Sequence, residues 1–178
     1  MAEHPFTDLI PADAAVAARS FGRRFRDAAA AAAAATLDEE PEQSELDEVA
    51  ARPGADGLSA LDHLALAADR LDAAQSAVCA SLVDPGHRVK AELLDLEAAA
   101  GVSHSGRLEH ELGRIERFGA ELAEAVERGD AGHWVDERTT TAGDSTTTLA
   151  VLQATVAFVL DRLKAVEKVL REVRGRPS

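Results

Sequence analysis

The sequence predicts an all-α protein: a four-helix bundle with a short extra helix between the second and third long helices. Ala and Leu dominate the apolar residues, with 38 and 20 copies in 178 residues, and both are strong helix formers. Only two Ile and six aromatic residues are present, and these types favour strands. Four long segments repeat apolar residues every three or four positions, as amphipathic helices do. An all-β or doubly wound α/β fold is therefore nearly excluded.

The first long helix is predicted from about residue 12 to residue 37. Pro11 stands at its beginning, where proline is well tolerated because the first backbone N–H groups of a helix have no partner. An acidic stretch that contains a proline ends it. A short helical turn is predicted over residues 44–51, and the sequence RPGADG at 52–57 predicts a loop.

The second long helix is predicted to begin at Ser59, an N-cap residue with Asp62 three positions later, which is the pattern of a capping box. Pro85 and Gly86 end it. A short helix is then predicted over residues 89–99.

The third long helix is predicted to start near Ser105 and to end at Gly129. A Thr-rich polar stretch over residues 139–148 disfavours a helix until its last Thr residues cap the segment that follows. The fourth helix, over 149–173, has a sustained heptad-like apolar stripe. Loops of this length allow either an up-and-down or a crossover bundle.

One domain is expected over residues 1–178, with its core over about 12–173 and flexible ends at 1–11 and 174–178. No signal peptide is visible, and the run of eight Ala at 28–35 is too short to span a bilayer. A single cysteine, Cys79, excludes an intramolecular disulfide and a multi-thiolate metal site. A cytoplasmic location is expected.

The formal charge of −13 argues against two classes of partner. It would repel the phosphate backbone of a nucleic acid and an anionic membrane surface. Neither nucleic acid nor membrane is therefore expected as a partner. A homodimer is expected, formed through exposed apolar helix faces.

Two helices resemble a known family. The segment 58–71, LSALDHLALAADRL, resembles the second-helix signature of the DinB/YfiT-like superfamily, and 148–170, TLAVLQATVAFVLDRLKAVEKVL, resembles its last helix. The resemblance covers residues 12–173. It implies a DinB-like four-helix bundle related to the N-terminal domains of mycothiol-dependent maleylpyruvate isomerases.

The resemblance also implies a divalent metal held by three His, one on the second helix and two on the last. The three positions carry Leu66, Phe158 and Arg162 in this chain. None of these side chains donates to a metal, so the resemblance predicts a fold whose metal triad is missing. No His follows residue 133, so the loss on the last helix does not depend on the alignment register.

Six residues form the predicted ligand pocket. His63 and Asp161 are candidates for a displaced metal site or an acid–base pair, although a lone His is more often structural. Arg162 is a candidate to bind a carboxylate or to pair with Asp62 or Asp69, or else it simply forms a surface ion pair on its helix. Trp134 either edges the pocket or closes one end of an aromatic-poor core. The predicted pocket residues are His63, Leu66, Trp134, Phe158, Asp161 and Arg162.

Two functions remain open at the sequence level. The first is a non-catalytic module without a cofactor, which binds a small anionic ligand or a protein partner. The second, implied by the resemblance, is a thiol-dependent transferase or isomerase of the mycothiol type, with a metal such as nickel or zinc at a rearranged site.

Overall fold

The computed structural model describes residues 8–34, 42–97 and 102–174, with side chains for all of these except 32–34 and 174. The described part of the chain is mostly helical, as the sequence predicts. Its α-helices are α1 (Pro11–Ala34), α2 (Gln43–Ala50), α3 (Ala60–Val83), α4 (Leu108–Glu127), α5 (Ala131–Val135) and α6 (Thr148–Arg174). None of these helices combines the length and the apolar character needed to cross a membrane.

The predicted boundaries of the long helices agree with the structure to within a few residues. α1 begins at Pro11, and the expected end of the first helix at residue 37 lies outside the described residues. α3 begins with the predicted capping box. The Asp62 backbone N–H donates to the Ser59 hydroxyl at 3.1 Å, and the Ser59 N–H donates to the Asp62 carboxylate at 2.8 Å. The predicted turn at 44–51 is α2.

Three local predictions are corrected. The short helix predicted over 89–99 is only a 3-10 turn, Ala91–Leu94, in its described part. α4 starts at Leu108 rather than near Ser105. The sequence around residues 133–147, predicted as loop, contains α5 and an antiparallel hairpin of β1 (Glu137–Thr139) and β2 (Ser145–Thr147).

The four long helices pack in a closed cycle, in the order α1, α4, α3, α6 and back to α1. Ion pairs Arg19–Glu127 and Arg26–Glu109 show that α1 and α4 are antiparallel. Hydrogen bonds from Arg114 to Asp69 and from Arg128 to Cys79 show that α3 and α4 run parallel. The connection between α3 and α4 must therefore cross back along the length of the helices.

α6 runs antiparallel to α3 and parallel to α1. Arg70 of α3 contacts Phe158 of α6, whereas the loop before α3 lies beside the end of α6, with Gly54 next to Val169. The Gln153 side chain donates to the Leu9 carbonyl at 3.1 Å. This contact places the first part of α6 beside the start of α1.

One apolar core lies inside this cycle, and it contains the large side chains of all four long helices. Phe21 and Phe25 of α1, predicted to share a face from their spacing of four, are both fully buried. Ala fills the closer helix contacts, because many of the buried core residues are Ala. The predicted stripes of α4 and α6 face this core.

Candidate functional site

An open cleft of about 380 Å³ lies between α3, the segment around the 3-10 turn and α6. We call it the α3–α6 cleft. Its floor is apolar, because Leu66, Leu93 and Phe158 line it and are all buried. The volume of the cleft is in the range of small-molecule sites, although six of its eleven lining residues are charged.

Arg70 is the charged group closest to the floor. Its guanidinium carbon lies 4.1 Å from the centroid of the Phe158 ring. Nη1 donates to the Leu93 carbonyl at 2.9 Å and Nη2 donates to the Asp95 carbonyl at 2.7 Å. Burial lowers the pKa of Arg70, Asp95 raises it, and the positive charge of Arg162 lowers it further. Two neutral carbonyls therefore fix this guanidinium without neutralising it.

Arg162 places a second guanidinium against the same ring. Its guanidinium carbon lies 5.1 Å from the Phe158 centroid. Because the guanidinium carbon of Arg70 lies 4.1 Å from the same centroid, the two positive charges are close to each other. The side chain is 12% exposed and pairs with Asp161, which is largely exposed. The Arg162 Nε atom is buried and has no hydrogen-bond partner among the residues that the structure describes. Asp62 and Asp69, the expected alternative partners, do not pair with Arg162.

His63 lies next to this cluster but is sealed from solvent, with 1% of its side chain exposed. Its Nε2 is 3.3 Å from Oδ2 of Asp56 without hydrogen-bond geometry, and Nδ1 has no hydrogen-bond partner. Burial and the charge of Arg162 lower the pKa of His63, against the opposing effect of Asp56. The lowered pKa favours the neutral imidazole. His63 and Asp161, the candidates for an acid–base pair, do not pair with each other, because His63 faces Asp56 and Asp161 pairs with Arg162.

Trp134 does not line the α3–α6 cleft. It lies on α5, buried against Gly129, where an added Cβ would stand 2.1 Å from the indole ring. The neighbouring His133 contacts Ser81 through Nε2 at 3.1 Å. Because Ser81 is eighteen residues beyond His63 on α3, the two regions are separated by about 27 Å. This placement fits the interpretation that Trp134 closes one end of the core.

The mouth of the α3–α6 cleft is charged and exposed. Lys90 and three carboxylates line it on the segment around the 3-10 turn: Glu92, Asp95 and Glu97. A further lining carboxylate, Asp69, is already bound by Arg114. The site thus has an apolar floor, guanidinium groups beside that floor, and an acidic mouth.

The three positions at which the resemblance implies metal ligands are close together. Leu66 and Phe158 line the same floor, and Arg162 covers the Phe158 ring. An alkyl chain, a phenyl ring and a guanidinium do not fit a divalent cation, since none offers a free electron pair to it. Across the residues that the structure describes, no group of three or more His, Cys, Asp or Glu side chains is arranged to hold a metal.

Sequence reasoning missed Arg70 and the residues of the segment that closes the cleft. Arg70 stands four positions after Leu66, and residues at this spacing share a helix face, so the signal was available. Lys90 and Leu93 carry no such signal, because the chain between α3 and α4 returns along the helices in a way that no local pattern specifies.

No protein-family model matches this chain, and the searches of curated proteins and of solved structures also found no match.

Proposed function

We propose that the chain is a DinB-like four-helix bundle without the metal triad of that family, and that it binds a small anionic ligand with an apolar body in the α3–α6 cleft without catalysis. One observation carries the proposal. Two guanidinium groups, Arg70 and Arg162, lie against the ring of Phe158 beside the floor of an open cleft.

The family part of the proposal is supported by the convergence of Leu66, Phe158 and Arg162. The three positions come from sequence motifs on two helices. Leu66 and Phe158 line one cleft, and Arg162 lies against the Phe158 ring. The parallel arrangement of α3 and α4, with its crossover connection, is one of the two bundle topologies that the loop lengths allow.

An anionic ligand is favoured by Arg70, which forms no ion pair within the described part of the chain. Its hydrogen-bond partners are neutral carbonyls, and its pKa is lowered by burial and by Arg162, against the opposing effect of Asp95. A carboxylate would offset this repulsion and accept charge-assisted hydrogen bonds. The apolar body of the ligand would remove the surfaces of Leu66, Leu93 and Phe158 from water.

The proposal is tested by titration with 3-phenylpropionate and its neutral amide, followed by backbone NMR shifts. We expect the acid to shift the signals of Leu66 and Phe158 and to bind at least about fivefold more tightly than the amide. Arg70→Gln should remove this preference. Arg117→Gln is the matched control, because Arg117 stands 4.4 Å from the ring of Phe118 outside the cleft. Equal binding of acid and amide would contradict the anionic part.

The competing hypothesis is a thiol-dependent transferase or isomerase with a metal at a rearranged site. It requires His63, Asp161 or Arg162 to supply the rearranged site. In the structure, His63 faces Asp56 and Asp161 pairs with Arg162. We expect purified protein to contain less than about 0.1 equivalent of nickel, zinc or iron by elemental analysis. A stoichiometric metal that survives dialysis would favour the enzyme instead.

We also propose a cytoplasmic location. The only thiol, Cys79, is half-buried and accepts hydrogen bonds at 3.4 Å from Gln75 and from Arg128. A lone thiol without a disulfide partner suits a reducing compartment.

A homodimer is proposed through the groove between α1 and α6. This α1–α6 groove, of about 420 Å³, is lined by Ala28, Ala31 and Leu163 and by four charged residues. The charged residues are Arg24, Asp27, Glu167 and Arg171. Two charges of each sign make the surface self-complementary, as a two-fold interface requires.

A further inference from the structure

We infer that the α3–α6 cleft accepts ligands with a single carboxylate and that Glu92, Asp95 and Glu97 at its mouth exclude dicarboxylates and phosphate monoesters. The inference rests on the proposed function and narrows it to a ligand class. It also assigns a role to an acidic segment that the proposed function leaves unexplained.

The cationic part of the cleft is small. Each terminal nitrogen of Arg70 carries two hydrogens and already gives one to a backbone carbonyl, of Leu93 or Asp95. The remaining N–H groups suffice for one carboxylate in a bidentate arrangement. Arg162 adds charge, but its ion pair with Asp161 offsets much of this charge. The floor therefore offers room for one anionic group.

The mouth carries the opposite charge. Three carboxylates lie within six residues of the chain, and they outnumber the one ammonium group beside them, that of Lys90. Within the described part of the chain, Glu92, Asp95 and Glu97 form no ion pair that would neutralise them. Asp95 also raises the pKa of Arg70, so the field of this carboxylate extends to the floor.

A second negative charge on the ligand would meet this field. With the first carboxylate at Arg70, a second carboxylate on the same carbon stands within the field of Asp95, whose carbonyl is bound by this guanidinium. Charges a few ångströms apart in a partly buried site are poorly screened by salt. The overall charge of −13 acts in the same direction. A monoanion gains binding free energy from its contact with Arg70. For a dianion, repulsion from the mouth carboxylates cancels much of this gain.

The test compares 3-phenylpropionate with benzylmalonate, which adds a second carboxylate to the same skeleton. Both are titrated into the intact protein at pH 7.5 and moderate salt, and cleft signals are followed by NMR. The E92Q/D95N/E97Q variant removes the three negative charges of the mouth and keeps side chains of nearly the same size. The control, E45Q/E48Q/E124Q, removes the same total charge from exposed residues outside the cleft lining. Thermal unfolding checks that both variants remain folded.

We expect benzylmalonate to bind the native protein at least about fivefold more weakly than 3-phenylpropionate. The mouth variant should bring the two affinities within about twofold, and the control variant should leave the ratio nearly unchanged. If benzylmalonate binds the native protein as tightly as 3-phenylpropionate, or if the two variants change the ratio equally, the inference is wrong while the proposed function stands. If neither compound shifts the cleft signals, the proposed function fails, and the inference with it.

Discussion

Glu111 lies on α4 and is fully buried. Its surroundings stabilise the buried carboxylate. One oxygen accepts hydrogen bonds from the backbone N–H and the hydroxyl of Ser105, at 2.9 and 2.8 Å, and contacts His110. The other accepts from Arg114 at 2.8 Å. Burial alone would raise the pKa of Glu111, but these hydrogen bonds outweigh it and lower the pKa to about 2.

This depressed pKa predicts an acid-sensitive contribution to stability. Between about pH 4.5 and 2 the unfolded chain binds a proton at Glu111 that the folded chain does not, so stability falls as pH decreases through this window. The shift corresponds to about 3 kcal/mol. We expect Glu111→Gln to lower the free energy of unfolding by about 2 to 3 kcal/mol at pH 7 and by little near pH 2, as measured by urea denaturation.

The neighbouring Glu109 serves as the control for that measurement. It is about half exposed and pairs with Arg26 on the surface, where ion pairs contribute little. Glu109→Gln should cost less than about 1 kcal/mol at any pH. Equal losses in the two variants would show that the hydrogen bonds to Glu111 do not stabilise the fold.

At the residue scale, the sequence could predict which positions are chemically unusual but not their partners. Arg162 beside an apolar stripe was recognisable as a candidate site residue. The position of Arg70 next to Arg162, and the arrangement of both guanidinium groups around Phe158, depend on the axial offset between α3 and α6. His63 lies beside the carboxylate of Asp56, whereas Asp62 takes part in the capping box.

At the scale of elements, a glycine sets how closely α1 and α4 approach. Gly119 lies in the middle of α4, and a Cβ added there would stand 2.4 Å from the carbonyl oxygen of Ala18 on α1. No flexible side chain is available to move aside, because the obstacle is backbone. Gly113 lies on the same helix and has nothing within 4 Å of an added Cβ.

The two glycines therefore make a matched pair. Gly119→Ala should destabilise the protein by about 1 to 3 kcal/mol, because the helices must separate. Gly113→Ala should stabilise it by up to about 1 kcal/mol, because Ala is the better helix former. Thermal and urea denaturation of both variants measure the difference. If Gly119→Ala were as stable as Gly113→Ala, the close helix contact would be refuted.

The long helices and α2 were predictable from the sequence, while α5 and the hairpin were not. The strands of the hairpin are three residues long and polar, and Thr-rich sequence also suits a loop. Tertiary contacts hold the hairpin in place: Arg138 is buried and donates to the Pro85 carbonyl, and Val89 pairs with Thr140. Serine is common at helix N-caps, but the Ser105 hydroxyl donates to the Glu111 carboxylate instead. α4 therefore begins at Leu108.

At the scale of the whole molecule, the α1–α6 groove offers a test of assembly. The Leu9 carbonyl, two residues before α1, accepts a hydrogen bond from Gln153 on the parallel helix α6. Arg24, fifteen residues after Leu9, therefore stands near the level of Glu167, fourteen after Gln153. By the same count Asp27 stands near the level of Arg171. None of these four charges forms an ion pair within the described chain.

In a parallel two-fold dimer α1 of one copy would lie over α6 of the other, and Arg24 would meet Glu167 while Asp27 meets Arg171. R24E/R171E should therefore give monomers by sedimentation equilibrium, because all four charges become negative. R23E/R88E, which makes the same charge change at exposed positions outside the groove, should remain dimeric. The full exchange R24E/D27R/E167R/R171E restores complementarity, so it should dimerise again. A native protein that is monomeric at about 100 μM, or an exchanged variant that stays monomeric, would refute this interface, because the predicted pairs would then have no role in assembly.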